Sequence, residues 1–140
     1  MTQTTTILRL GYFGLLPFYA SVAGAMLFTG APARRCAEVF VLYSLAILCF
    51  LAGTLWGRAM TGTSERGRAL VVSNVLVVMA VLTLIANQLV IGILVLGLEF
   101  AFLLWFECWG EALPGWYRRL RSQLTAAVLL AHGLMLWVML

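Results

Sequence analysis

The chain has no lysine and no aspartate, a single histidine, and five acidic residues against nine arginines in 140 positions. Each shortage closes a class of function. One histidine and five glutamates are a poor set for a catalytic triad or a metal centre, and a bis-histidine haem would need a ligand from outside the chain. The CxxC, HExxH, GxSxG, Walker and GxGxxG signatures are all absent. We therefore expect no enzyme activity and no cofactor. Cys36, Cys49 and Cys108 fall in different apolar runs or at different ends of them, so free thiols are expected rather than a bridge.

What the chain has in abundance is apolar side chains. Hydrophobic residues make up 64% of the sequence and charged ones 10%, and the mean hydropathy is +1.04. That balance lies far outside a soluble domain and defines an integral membrane protein. Apolar runs at about 10–29, 39–60, 69–86, 89–106 and 124–140 read as five transmembrane helices in one domain covering 1–140, the last helix starting earlier and covering about 116–140. Period-two alternation, the mark of a membrane barrel, is missing. The connections carry turn and capping residues: Gly30, Pro32, Gly62, Ser64, Asn87 and Pro114. Ala23-Gly24-Ala25 has the form of a signal-peptide cleavage site, but the apolar run continues through Phe28 and reads as a span.

The arginines set an expected orientation. With five spans, Arg9, Arg58, Arg66, Arg68, Arg118, Arg119 and Arg121 fall at one face, and only Arg34 and Arg35 at the other. The positive-inside bias then puts the amino terminus in the cytoplasm and the carboxyl terminus across the membrane. Arginine without lysine suggests a GC-rich genome, hence a bacterial inner membrane, with the mitochondrial inner membrane as the alternative.

Glu99 is the residue most at odds with its surroundings, in the run LVLGLEFAFLL. A charge at mid-bilayer costs about 2.5–3.5 kcal/mol, so it is expected to face the bundle interior beside a polar partner. At about 1.5 Å per residue, Glu99 lies about 12 Å inside Glu107, His132 about 16 Å inside Arg121 and Asn74 about 9 Å inside Arg68. The three are expected to share a polar layer, with Glu99 touching His132 and Asn74 nearby. Such a layer either fixes helix register, forms a protonatable site, or meets a partner, a lipid or a quinone head group.

Close helix approach is expected at small-residue pairs, above all Gly53 and Gly57 around Trp56, and also at Ala20/Gly24, Gly97/Ala101 and Ala127/Ala131. Pro17 should kink the first span. PGWYRRLRSQL interleaves Trp116 and Tyr117 with Arg118, Arg119 and Arg121. Aromatics at head-group level with arginines outside them predict an interfacial helix contacting lipid, not nucleic acid.

LGYFGLLPFY (Leu10 to Tyr19), YSLAILCFLAGTLWGRAM (Tyr43 to Met60) and PGWYRRLRSQLT (Pro114 to Thr125) resemble, in order and spacing, the small bacterial and mitochondrial membrane proteins of the domain of unknown function 3429 family. Its most specific parts are Pro17-Phe18, the pattern of Ile47, Leu48, Phe50, Leu51, Gly53, Trp56 and Gly57, and the segment of Pro114, Trp116, Tyr117, Leu120 and Arg121. Cys49, Ala52 and Leu55 depart from the family pattern. The resemblance implies a multi-span inner-membrane protein and brings no activity with it.

Two functions are compatible with these features. One is a non-enzymatic accessory, structural or assembly component of a larger membrane complex, whose partners are membrane lipids and a membrane protein or a second copy of itself. The other is a small proton-linked carrier or channel using the Glu99, His132 and Asn74 layer, as a single chain or as a homo-oligomer.

Overall fold

The computed structural model describes residues 3–62, 66–110 and 113–140, and Arg66 by its backbone alone. Ser64, expected in the second connection, lies outside the described residues. Among the described residues there are six helices: α1 (Gln3–Phe13), α2 (Leu16–Leu27), α3 (Ala31–Thr61), α4 (Arg66–Ile85), α5 (Leu89–Gly110) and α6 (Gly115–Met139). Taking α1 and α2 together as Gln3–Leu27, five are long and apolar enough to cross a membrane. The protein is an all-helical membrane bundle.

The first span is interrupted where the sequence removes a backbone donor. Pro17 lies in the first turn of α2 and cannot bond to the carbonyl of Phe13. The chain instead closes two tight turns, Gly14 N–H to Leu10 O at 3.0 Å and Leu15 N–H to Tyr12 O at 3.1 Å. Helix α1 then rests on α6, with Gly11 against Leu124 and Tyr12 Oη donating to Gln123 Oε1 at 2.7 Å. Helix α2 packs on α3 and α6.

Several helices run past the apolar stretches that revealed them. Helix α3 begins at Ala31, not near Val39, because Pro32 suits a first turn and Gly30 supplies the φ of 66° at the preceding position. Glu38 then accepts from Arg34 and Arg35 one turn back, at 3.3 and 3.2 Å. An apolar run marks the hydrocarbon zone, whereas a helix continues until a cap ends it. For α3 that cap is Gly62, with φ 81°. The α4–α5 turn is closed by Asn87 at φ 53°, a left-handed conformation that asparagine tolerates.

Helix α3 is the central element, packed against α2, α4 and α5, while α6 covers α5 and α2. Its buried stripe is Ala33, Ala37, Phe40, Val41, Ser44, Leu48, Ala52, Leu55 and Ala59. The small members let neighbouring backbones approach, which is how helices associate when lipid is as apolar as the core. Gly53 and Gly57 do not serve this purpose, contrary to expectation. A Cβ on either would meet nothing within 4 Å, and Trp56 is exposed. They stand off the stripe because one residue turns the helix by about 100°. Close approach does occur at glycines of two other expected pairs: Gly24, where a Cβ would lie 2.6 Å from Cys36 Sγ, and Gly97.

Candidate functional site

Among the described residues, the buried histidine and the two buried glutamates sit in three separate arrangements. The first surrounds His132 on α6. Its ring packs edge-on against Phe40 and Phe100, with centroids 4.8 and 5.6 Å away, and lies 6.0 Å from Phe18. Gly97 makes room for it: a Cβ there would press on the ring at 3.4 Å. His132 Nδ1 lies 2.8 Å from Val128 O. A carbonyl only accepts, so Nδ1 carries the ring proton. Nε2 faces Ser44 Oγ at 3.3 Å, while that hydroxyl donates to Phe40 O at 2.8 Å. One hydroxyl proton thus stands before two acceptors.

The second is Glu99, and here the expected layer is not formed. Neither ring nitrogen of His132 meets Glu99: Nδ1 lies against Val128 O and Nε2 against Ser44 Oγ. The two carboxyl oxygens of Glu99 are buried with no hydrogen-bond partner among the described residues. Glu99 is two residues from Gly97, the glycine that faces His132, and is therefore turned about 200° away from it. Asn74 belongs to neither group: it is exposed and its amide donates to Leu70 O at 2.8 Å, back along its own helix. A count of depth along a span does not specify the direction a side chain takes.

The third arrangement was not anticipated. Glu107 on α5 is wholly buried and joins three helices. Arg58 of α3 donates to its Oε1 at 2.8 Å, and Arg121 of α6 donates through Nε to Oε2 at 2.8 Å and through Nη2 to the same oxygen. These charge-assisted bonds are short and directional. Arg121 is only 4% exposed, so it is not the lipid-facing residue the sequence suggested. Trp116, Arg118 and Arg119 are exposed beside it and Tyr117 is half-buried, an arrangement suited to head groups. The signal available in the sequence was position: Glu107 and Arg121 each lie seven residues from Pro114, so an antiparallel hairpin brings them level.

A groove of about 370 Å³ opens between α1, α3 and α6 at this arginine-rich end, lined by apolar groups with Tyr117, Arg121 and Thr125 among them. A second cavity, about 230 Å³, lies at the opposite end beside Glu38, Asn87 and Gln88. The three cysteines are unpaired. Among the described residues, no three histidine, cysteine or acidic side chains converge as metal ligands would.

Five apolar spans, a buried ion triad and an enclosed polar interior define a multi-pass helical membrane protein. Residues 3–137 match the family described as a protein of unknown function, DUF3429, and the chain belongs to that family. No curated protein and no solved structure matches it.

Proposed function

We propose that the chain is a non-enzymatic, multi-pass protein of a bacterial inner membrane, amino terminus in the cytoplasm, serving as an accessory, structural or assembly component of a larger membrane complex. The observation that carries this reading is the separation of Glu99 from His132. A carrier needs polar groups that hand a proton or ion from one to the next, whereas each of these side chains is enclosed on its own. Ser44 beside His132 would resemble an activated nucleophile, but it is fully buried and its proton is directed at Phe40 O. The orientation rests on the arginine count at the two ends, and the bacterial assignment on arginine without lysine.

A tagged chain purified in mild detergent after cross-linking in its native membrane tests the reading. A stoichiometric membrane-protein partner or a second copy is expected. Migration as a solitary chain with no cross-linked neighbour sinks it. Reporter fusions at the carboxyl terminus check the orientation: an alkaline phosphatase fusion should be active and a cytoplasmic fluorescent fusion dark.

One observation favours the proton-linked carrier as a second reading, namely that Glu99 occupies a costly position without a partner. Glu99→Gln separates the two. The accessory reading expects the variant to keep its partner and to change no flux in proteoliposomes. The carrier reading expects pH-driven flux in the native protein and its collapse in the variant.

A further inference from the structure

We propose that the groove between α1, α3 and α6 seats one acyl chain of an anionic phospholipid, with its head group over the exposed arginines at the same end. This is independent of the accessory reading. The break at Gly14 and Leu15 creates the space: α2 stays on α3 while α1 leans on α6, and the gap between α1 and α3 stays open. The cavity of about 370 Å³ falls within the range of ligand-holding pockets. Its walls are aliphatic and aromatic, including Leu15, Phe18, Ile47 and Leu51. Leu10 and Phe50 form exposed lips, at 66% and 69%, so an alkyl chain enters sideways from the bilayer without crossing a polar barrier.

Length and charge select the occupant. From Tyr117 to Val128 the α6 wall advances eleven residues, about 16 Å, close to half of a hydrocarbon core of about 30 Å. The groove thus runs the depth of one leaflet, ending under the aromatic Phe18 and Phe100. Arg118 and Arg119 are exposed in the same first turns of α6, next to the lining residue Tyr117 but outside the groove wall, and Arg121, which lines the groove, is already committed to Glu107. The chain carries a formal charge of +4, and most of its arginines lie at this end, which complements a phosphate with a further negative charge.

The full chain is reconstituted into vesicles of phosphatidylglycerol and phosphatidylcholine containing a neutral quinone, extracted in mild detergent and weighed by native mass spectrometry. One retained phosphatidylglycerol per chain is expected, above its share of the mixture. Leu10→Trp at the lip and Ile47→Phe in the wall should each lose it. Leu10 is exposed, so its variant remains informative where Ile47→Phe fails to fold. The double variant Arg118→Gln/Arg119→Gln should still retain a lipid but lose head-group preference by about fivefold per arginine. Retention of quinone instead, retention without head-group preference, no retained lipid at all, or a bound lipid unchanged in a folded groove-filling variant overturns the proposal.

Discussion

Arg121 and Glu107 hold each other across the α5–α6 hairpin, two oppositely charged side chains level with one another and nearly sealed from solvent. Arg58 completes the contact from α3 at 2.8 Å, so three of the five spans meet on one carboxylate. Two guanidinium groups thus converge on one carboxylate at the arginine-rich end of the bundle. Burying these ions carries a desolvation cost that the attraction only partly offsets. The cluster therefore specifies register more than it adds stability.

Removing the carboxylate alone should be far more damaging than removing the cluster. Glu107→Ala takes the shared carboxylate away from Arg58 and leaves the buried Arg121 guanidinium without it, and is expected to cost about 3–5 kcal/mol. The Arg58→Met/Glu107→Leu/Arg121→Met variant, with all three of these charges removed, should unfold closer to the native protein than Glu107→Ala does. Denaturation in detergent, followed by tryptophan fluorescence, measures both. A loss below about 1 kcal/mol for Glu107→Ala, the range of a solvated pair, would show that water reaches the site.

Glycine positions give a second, opposed pair of expectations. Gly24→Ala places a methyl group 2.6 Å from Cys36 Sγ and should destabilise the α2–α3 contact by about 1–3 kcal/mol, the usual range for overpacking. Cys36→Ala in the same chain should restore most of the loss. Gly53→Ala and Gly57→Ala meet nothing and should be neutral or gain a few tenths of a kcal/mol from helix propensity. Equal damage at Gly53 and Gly24 would mean that the outer face of α3 is a packed interface after all.

The number and type of spans were legible because hydrocarbon imposes a length and backbone bonding imposes a helix. The break before Pro17 was legible for the same local reason, a missing donor. Rotation was not. Gly53 and Gly57 looked like a packing pair because their spacing is right, but spacing is shared by every face of a helix. The seam actually used, Ala33, Ala37, Ser44, Ala52 and Ala59, shows itself only over the full length of α3. Glu99 and His132 failed in the same way, matched in depth and turned to different sides. Glu107 and Arg121 were readable from their equal distance to Pro114, had the hairpin rather than the membrane boundary been taken as the ruler.

His132 is held by packing as much as by hydrogen bonds. His132→Ala should leave a cavity among Phe18, Phe40 and Phe100 and cost roughly 3 kcal/mol, in the range of large-to-small core changes. His132→Phe keeps the volume, and Ser44 keeps its bond to Phe40 O, so the loss should be less than half as large. The two variants are compared by midpoint of thermal unfolding. If His132→Phe is as harmful as His132→Ala, the imidazole nitrogens and not the ring carry the contribution.

Glu99 is where stability and purpose are expected to diverge. Its carboxyl oxygens are enclosed without a donor, so exchanging it for a side chain of similar reach and no polarity should relieve the burial cost. Glu99→Leu is expected to raise stability by up to about 2.5–3.5 kcal/mol, the insertion penalty of a mid-membrane carboxylate, and by less if the acid is buried in its neutral form. Native-membrane cross-linking of the same variant then separates two causes for the residue. Retained partner capture would mean that the acid is dispensable for assembly. Lost capture in a stabilised, folded bundle would mean that the destabilising carboxylate meets its hydrogen-bond donor only in the assembled complex, which would also account for the missing donor in the isolated chain. A fall in stability would contradict both and show that Glu99 already has a donor that the packing of α3, α4 and α5 supplies.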